Sequence, residues 1–262
     1  MTLSEHPFNE LNITIEGRVA LLTMNNPPVN ALSRTLSDEL TLALDVVSLD
    51  DEVRAVVITG NGKVFCAGAD LKGRQESLAA PGGIVAHSRR TRECFHAVRE
   101  CVKPVITAIN GPALGSGLGI VASSDIILAS NTACLGLPEI DVGLMGGARH
   151  AMRLFGQSLL RRMVLTGYRV PASELYRLGI VEACLPPEQL LEAALAIAQE
   201  IAGKSPTSVV LAKHTLNTIE DMSLRDGYRY EQDMTARLAK TDDAAEAQRA
   251  FREKRKPVFT GR

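Results

Sequence analysis

The sequence predicts an α/β fold, and three observations carry that prediction. Short β-branched runs alternate with segments of helical spacing. One such run, residues 55–59, is apolar throughout and is closed by Gly60-Asn61-Gly62, as expected of a strand buried on both faces of a parallel sheet. After about Pro186 the strand-like runs stop and only helical spacing remains.

Taken in order, residues 11–16 and 18–23 read as two strands of a hairpin about Gly17. Residues 36–49 place Leu36, Leu40, Ala43, Leu44 and Val47 at helical spacing, ahead of the buried strand. Residues 77–83 are rich in Gly, Pro and Ala and read as a mobile loop, with a helix expected over 84–101. Pro104 introduces a strand at 105–110 that Gly111-Pro112 ends. A helix is expected from near Gly117, and 125–129 is the next strand. Beyond Pro186, residues 189–202 are helical and Ser205-Pro206 starts another helix, with Pro at or near its first position. Two more helices are expected over 223–239 and 242–254. The chain thus divides into an α/β core, residues 1–200, and a helical region, residues 201–262. That region is too short for a robust core of its own and is expected to pack on the first, on a partner subunit, or on both.

With 45% hydrophobic and 23% charged residues among 262, the chain can bury a large core without disulfides or metals. A formal net charge of −1 argues against non-specific nucleic-acid binding, which needs a basic excess. A polyanionic substrate would have to be met by local basic groups. No apolar run is long enough to span a membrane. Residues 1–10 carry Glu5 and Glu10 and no apolar stretch, so a signal peptide is not expected. The five cysteines are scattered and form no CxxC pair, so neither a zinc site nor a disulfide framework is supported. A reducing, cytoplasmic setting is expected.

Four segments could carry chemistry. Asn26-Pro27-Pro28-Val29-Asn30-Ala31-Leu32 follows the hairpin and reads equally as a plain turn and helix cap. In Phe65-Cys66-Ala67-Gly68-Ala69-Asp70-Leu71, small residues after a strand let a ligand approach the backbone, though a tight bend under a helix would use the same residues. Asn110-Gly111-Pro112-Ala113-Leu114-Gly115-Ser116-Gly117-Leu118-Gly119 runs from a strand end through a Gly-rich turn into a helix, whose first N–H groups and dipole stabilise negative charge. A dinucleotide fingerprint fails there because Ile120 stands where its third Gly belongs. A nucleophile elbow fails because Leu114 and Leu118 occupy its Gly positions. Leu137-Pro138-Glu139-Ile140-Asp141-Val142-Gly143-Leu144 sets a carboxylate in an apolar run, where burial would raise its pKa and suit it to proton transfer. An exposed loop Glu is the plain alternative.

In order and spacing these four segments resemble the enoyl-CoA hydratase/isomerase (crotonase) family, and the likeness runs through Phe251-Arg252-Glu253-Lys254-Arg255-Lys256. The resemblance implies a core built as a spiral of ββα turns, a C-terminal helical region making trimer contacts, and a homotrimer or dimer of trimers. It implies an acyl-CoA thioester substrate with no separate cofactor, coenzyme A being part of the substrate, and no nucleic-acid, membrane or metal partner. It gives Glu139 the role of catalytic carboxylate and the backbone N–H groups of Ala69 and Ser116 that of an oxyanion hole. It places the adenine end of coenzyme A around Ala67, Gly68, Asp70 and Leu71, mainly through backbone, and counts Ala31 and Gly115 as further substrate-binding residues. Phe251 and Lys254 match residues that reach a neighbouring subunit's coenzyme A.

The sequence also departs from the family's hydratases. Where they carry a first catalytic Glu this chain has Gly119, Gly146 replaces a frequent Pro, and Arg149-His150 occupies a common Gly-Gly pair. His150 either faces the pocket or sits on the helix that follows as a structural residue, and the structural role is the one expected. Asp141 is expected to point away from Glu139, and neither His87 nor His96 is expected to be catalytic. One carboxylate suits an isomerase that shifts the double bond of a 3-enoyl-CoA to 2-enoyl-CoA. The alternatives are hydration of a 2-enoyl-CoA, another reaction of the family such as C–C hydrolysis or decarboxylation, and a non-catalytic acyl-CoA-binding protein.

Overall fold

In the computed structural model, which describes residues 7–262, the expected hairpin opens the chain. The first six residues, part of the stretch judged to lack a signal peptide, lie outside the described residues. Strands β1 (Leu11–Glu16) and β2 (Val19–Met24) pair antiparallel, with Leu11 opposite Met24. Helix α1 (Arg34–Leu49) begins at Ser33, whose hydroxyl accepts a hydrogen bond from the Leu36 N–H at 2.9 Å. It buries the predicted stripe Leu36, Leu40, Ala43, Leu44 and Val47. Strand β3 (Ala55–Gly60) is buried at every position. Val56 and Ile58 face one apolar cluster and Ala55 and Val57 the other, the two-residue alternation of a strand covered on both sides.

Two helices follow, α2 (Leu71–Leu78) and α3 (Gly83–Glu100). The first corrects the sequence reading, which placed a mobile loop over residues 77–83; Ser77 and Leu78 are helical, and only 79–82 link the two helices. Its apolar content is low and its interior holds Gly73, so periodicity did not mark it. The carboxylate of Asp70 starts it, accepting from Lys72 N–H at 3.1 Å and Gly73 N–H at 3.2 Å.

Strand β4 (Val105–Ile109), the two-residue strand β5 (Ala113–Leu114), helix α4 (Ser116–Ser123) and strands β6 (Ile126–Ser130) and β7 (Cys134–Gly136) come next. A 3-10 turn (Pro138–Val142) leads to helices α5 (Ala148–Ala151) and α6 (Gln157–Thr166), strand β8 (Arg169–Pro171), helix α7 (Ala172–Arg177) and strand β9 (Ala183–Leu185). Strand order in the main sheet is β1-β2-β3-β4-β6-β9, parallel after the first pair. A small second sheet, β5-β7-β8, stands beside it. The C-terminal helices are α8 (Pro187–Ala202), α9 (Pro206–Ile219), α10 (Leu224–Leu238) and α11 (Asp242–Glu253). Helices α1 and α3 pack against each other beneath the main sheet, and α8 packs along strands β2 to β4 and β6 on its other face.

The region after residue 200 is bonded to the core. Lys213, buried on α9, places its ammonium 2.8 Å from Asp125 Oδ2 and donates to the Lys103 carbonyl at 3.0 Å. The same Asp125 oxygen accepts from Val105 N–H at 2.7 Å, so one carboxylate joins α9 to the start of β4. Arg99 and Asn217 exchange side chain-to-carbonyl hydrogen bonds at 3.2 and 2.8 Å. Glu220 lies 2.7 Å from Arg99 Nη1 on α3 and 2.8 Å from Arg153 Nε just after α5.

Removing one member of a buried ion pair leaves the other desolvated, a loss of about 3–5 kcal/mol when both are deeply buried. Asp125 keeps a side-chain exposure of 24%, so Lys213→Ala is expected at the low end, about 3 kcal/mol in urea unfolding. A loss below about 1 kcal/mol would show that apolar packing alone holds α9 in place.

Candidate active site

Two backbone segments meet at the C-terminal side of β3 and form the site. Asn30 sets the first approach: its amide donates to the carbonyls of Asn61 and Val64, at 2.9 and 2.7 Å, and its Oδ1 accepts from Asn26 N–H. The turn that the sequence left open is therefore pinned to the end of β3. Residues 66–70 then run between two strand-like partners. Leu32 bridges to Ala69 and Cys66 to Ala113.

Glycines let these segments touch. A β-carbon on Gly68, whose φ is +110°, would stand 3.3 Å from the Leu114 carbonyl oxygen. One on Gly117 would lie 2.5 Å from the Cys66 carbonyl oxygen. The contact leaves two donors over. The bridge to Leu32 uses the Gly68 carbonyl and the Asp70 N–H, and among the described residues the Ala69 N–H meets no acceptor. Ser116 is the first residue of α4, so its N–H has no partner inside the helix and sits at the positive end of the dipole.

Glu139 stands over this pair. Pro138 opens the 3-10 turn, and Glu139 Oε1 lies 2.7 Å from where a β-carbon on Gly115 would be. Its carboxyl is half-buried, and loss of hydration pushes its pKa up, against a smaller lowering from its own backbone N–H. Asp141 does point away, with Oδ2 against Gly167. The cause is the 3-10 geometry; a fully extended segment would have put residues 139 and 141 on one side.

Ala69, Gly115, Ser116 and Glu139 line one cavity of about 300 Å³, together with Phe95, Leu144, Met145 and His150. A second cavity of about 640 Å³, between the lead-in to α1 and helices α2 and α3, contains neither Glu139 nor the donor pair, so size does not identify the site. Ala31, Ala67, Gly68, Asp70 and Leu71 lie on the segments that lead to the smaller cavity without lining it, and Asp70's carboxylate is already engaged as the α2 cap. Cys66 is fully buried, and burial pushes its thiol up to about 11, which rules it out as a nucleophile. Phe251 and Lys254 are exposed at the end of α11 and do not reach the cavity within one chain.

One wall residue, Phe95, escaped the sequence reading. Phe95 packs on Gly119 so closely that a β-carbon at 119 would run into its ring. The sequence marked Gly119 as a departure from the family's hydratases but gave no sign of Phe95, and only the fold brings the two together. His150 sits on α5 as expected, yet its ring also faces the cavity, edge-on to Phe95 at 4.9 Å. His87 lines the cavity too, its pKa lowered by burial and then by Arg74 and Arg90, while His96 does not.

Residues 14–262 match the family model described as enoyl-CoA hydratase/isomerase. The chain belongs to that family. It is 36% identical over 260 residues to the 2,3-dehydroadipyl-CoA hydratase of Escherichia coli, covering 97% of this chain and 100% of the relative. It is 37% identical over 241 residues, 91% and 96% of the two chains, to the (7aS)-7a-methyl-1,5-dioxo-2,3,5,6,7,7a-hexahydro-1H-indene-carboxyl-CoA hydrolase of Mycobacterium tuberculosis. Among solved structures, an enoyl-CoA hydratase from Bacillus anthracis superposes with a TM-score of 0.90 at 32% identity, over 97% of this chain and 100% of the other. The crotonase fold expected from the sequence is thus present, and the chain is an enzyme of this family.

Two measurements test the geometry. If Glu139 must be ionised to accept a proton, the acid limb of kcat/KM lies above the ordinary carboxylate range and disappears with the activity in Glu139→Gln. The same raised pKa makes ionisation destabilising: the penalty is absent below the unfolded-state pKa and complete above the folded-state value. Glu139→Gln is therefore expected to raise the thermal midpoint at neutral pH. An acid limb at ordinary carboxylate pH, with no stability gain, would contradict the desolvated site.

Proposed function

We propose that this enzyme moves the double bond of a 3-enoyl-CoA into conjugation, giving a 2-enoyl-CoA, with Glu139 as the single proton carrier. The observation that carries this reading is the Phe95–Gly119 contact. Hydration uses one carboxylate to activate water and another to deliver a proton. Family hydratases carry one of these at the position of Gly119, and here an aromatic ring fills that space. Glu139 is the only carboxylate lining the cavity among the described residues. A 1,3-proton shift needs just one base, which takes the α-proton and returns it at the γ-carbon.

The two free N–H groups, of Ala69 and Ser116, are assigned to the thioester oxygen, whose negative charge grows as the α-proton leaves. Losing one such donor typically costs about 3–4 kcal/mol of transition-state stabilisation. Coenzyme A is placed along Ala31 and residues 67–71, up to Gly115, as part of the substrate, and no further cofactor is needed. Leu216, Leu224 and Phe251 are exposed on the C-terminal helices, which supports a trimer or dimer of trimers in which Phe251 and Lys254 meet a neighbour's coenzyme A. Hydration of 2-enoyl-CoA is the second reading, favoured by the hydratase names of several relatives.

The deciding assay offers 3-hexenoyl-CoA and crotonyl-CoA to the purified protein. Isomerisation is expected to exceed hydration by at least tenfold. Gly119→Glu alone is expected to lose stability, because overpacking costs about 1–3 kcal/mol. Gly119→Glu combined with Phe95→Ala makes room for the second carboxylate and is expected to raise hydration. Crotonyl-CoA hydration by the unaltered protein at ordinary enzyme rates, with 3-hexenoyl-CoA untouched, would replace the isomerase reading with the hydratase one.

A further inference from the structure

We propose that His150 is a specificity-determining residue that hydrogen-bonds an oxygen substituent, a ketone or hydroxyl, on the acyl group of the CoA thioester. The inference rests on the proposed use of the 300 Å³ cavity as the acyl site.

His150 is half-buried in the cavity wall that also holds Glu139 and the Ala69–Ser116 donor pair. Neither of its ring nitrogens meets a hydrogen-bond partner among the described residues. Its ring is held by the edge-on contact with Phe95, at an interplanar angle of 70°. Phe95 is itself seated on Gly119, so the imidazole is oriented by packing and its polar atoms are left for the cavity.

Burial and the surrounding positive groups disfavour the protonated ring. Burial lowers its pKa first, followed by His96, then Arg153 and Arg149 on its own side, and Arg99 from α3. Glu220 answers Arg99 and Arg153 from α9, and Asp221 answers Arg149, so these cations are themselves paired. A neutral imidazole offers one donor and one acceptor. The cavity wall also carries the apolar Phe95, Leu144 and Met145, with Ser88 and Arg92 among its polar side chains on the α3 side, and none of them is hydrogen-bonded to the imidazole among the described residues. On the α3 side, Thr91 already donates to the His87 carbonyl at 3.1 Å.

A purely hydrocarbon acyl group would cover the imidazole and give it no partner, which costs binding free energy. An oxygen at the right carbon turns that cost into a hydrogen bond. Sites built to hydrogen-bond a substrate discriminate strongly against the analogue that lacks the group.

Binding measurements test this without turnover. Dissociation constants for hexanoyl-CoA and its 3-oxo and 5-oxo counterparts would be taken by calorimetry on the Glu139→Gln protein, with and without His150→Leu or His150→Gln. At least one oxo compound is expected to bind about tenfold tighter than hexanoyl-CoA. That preference is expected to fall to near unity with His150→Leu and to recover in part with His150→Gln, whose amide keeps a donor. No preference, or one that survives His150→Leu in a protein with a normal thermal midpoint, overturns the proposal. So does a His150→Leu effect confined to kcat in the Glu139 protein. Because these constants involve no proton transfer, they stand or fall separately from the isomerase reading.

Discussion

The approach of residues 66–70 to residues 114–117 is the constraint on which the site depends. Two polypeptide backbones come within van der Waals contact because Gly68, Gly115 and Gly117 present no β-carbon there. That contact brings Ala69 and Ser116 to one cavity with no acceptor for their N–H groups among the described residues, and it leaves the space over Gly115 that the Glu139 carboxylate occupies. The supports lie outside the contact: Asn30 pins the lead-in to α1, Asp70 starts α2, and Pro138 opens the turn that carries Glu139. Each is a polar or conformational anchor on a loop, while the apolar core beneath supplies rigidity.

The chemistry follows from what surrounds that contact. In the proposed reading, a carboxylate losing hydration beside N–H donors takes a proton from a carbon next to a carbonyl that the donors polarise. The ring of Phe95 fills the space over Gly119, and the same ring stands edge-on to His150. One packing contact, Phe95 on Gly119, therefore shapes the cavity wall that also holds His150. The C-terminal helices reach this wall through Glu220, which holds Arg99 on α3 and Arg153 beside α5.

Much of the fold was legible in the sequence because its long elements obey simple periods. The stripe of α1, the buried run of β3 and the helices from α8 onward follow from spacing and caps. Helix α2 was hidden because a side-chain cap, not an apolar stripe, marks it. Strands β5, β7, β8 and β9 are two or three residues long, too short for any alternation to show. Glu139, Ala69 and Ser116, which the family resemblance singled out through four local segments, come together at one cavity. The Phe95–Gly119 contact was not legible, because it depends on how α3 and α4 meet, and whether His150 faces the cavity stayed open in the sequence because it depends on how α5 packs against them.

The central claim is that one carboxylate carries one proton between two carbons of the substrate. The most direct measurement follows a deuterium label at C2 of a 3-enoyl-CoA through a single turnover, with the product analysed by NMR. The account predicts that a measurable fraction of the label reappears at C4 of the 2-enoyl product, carried by Glu139 before it exchanges with water. A product that carries a hydroxyl oxygen from water at C3, with no label at C4, would contradict it.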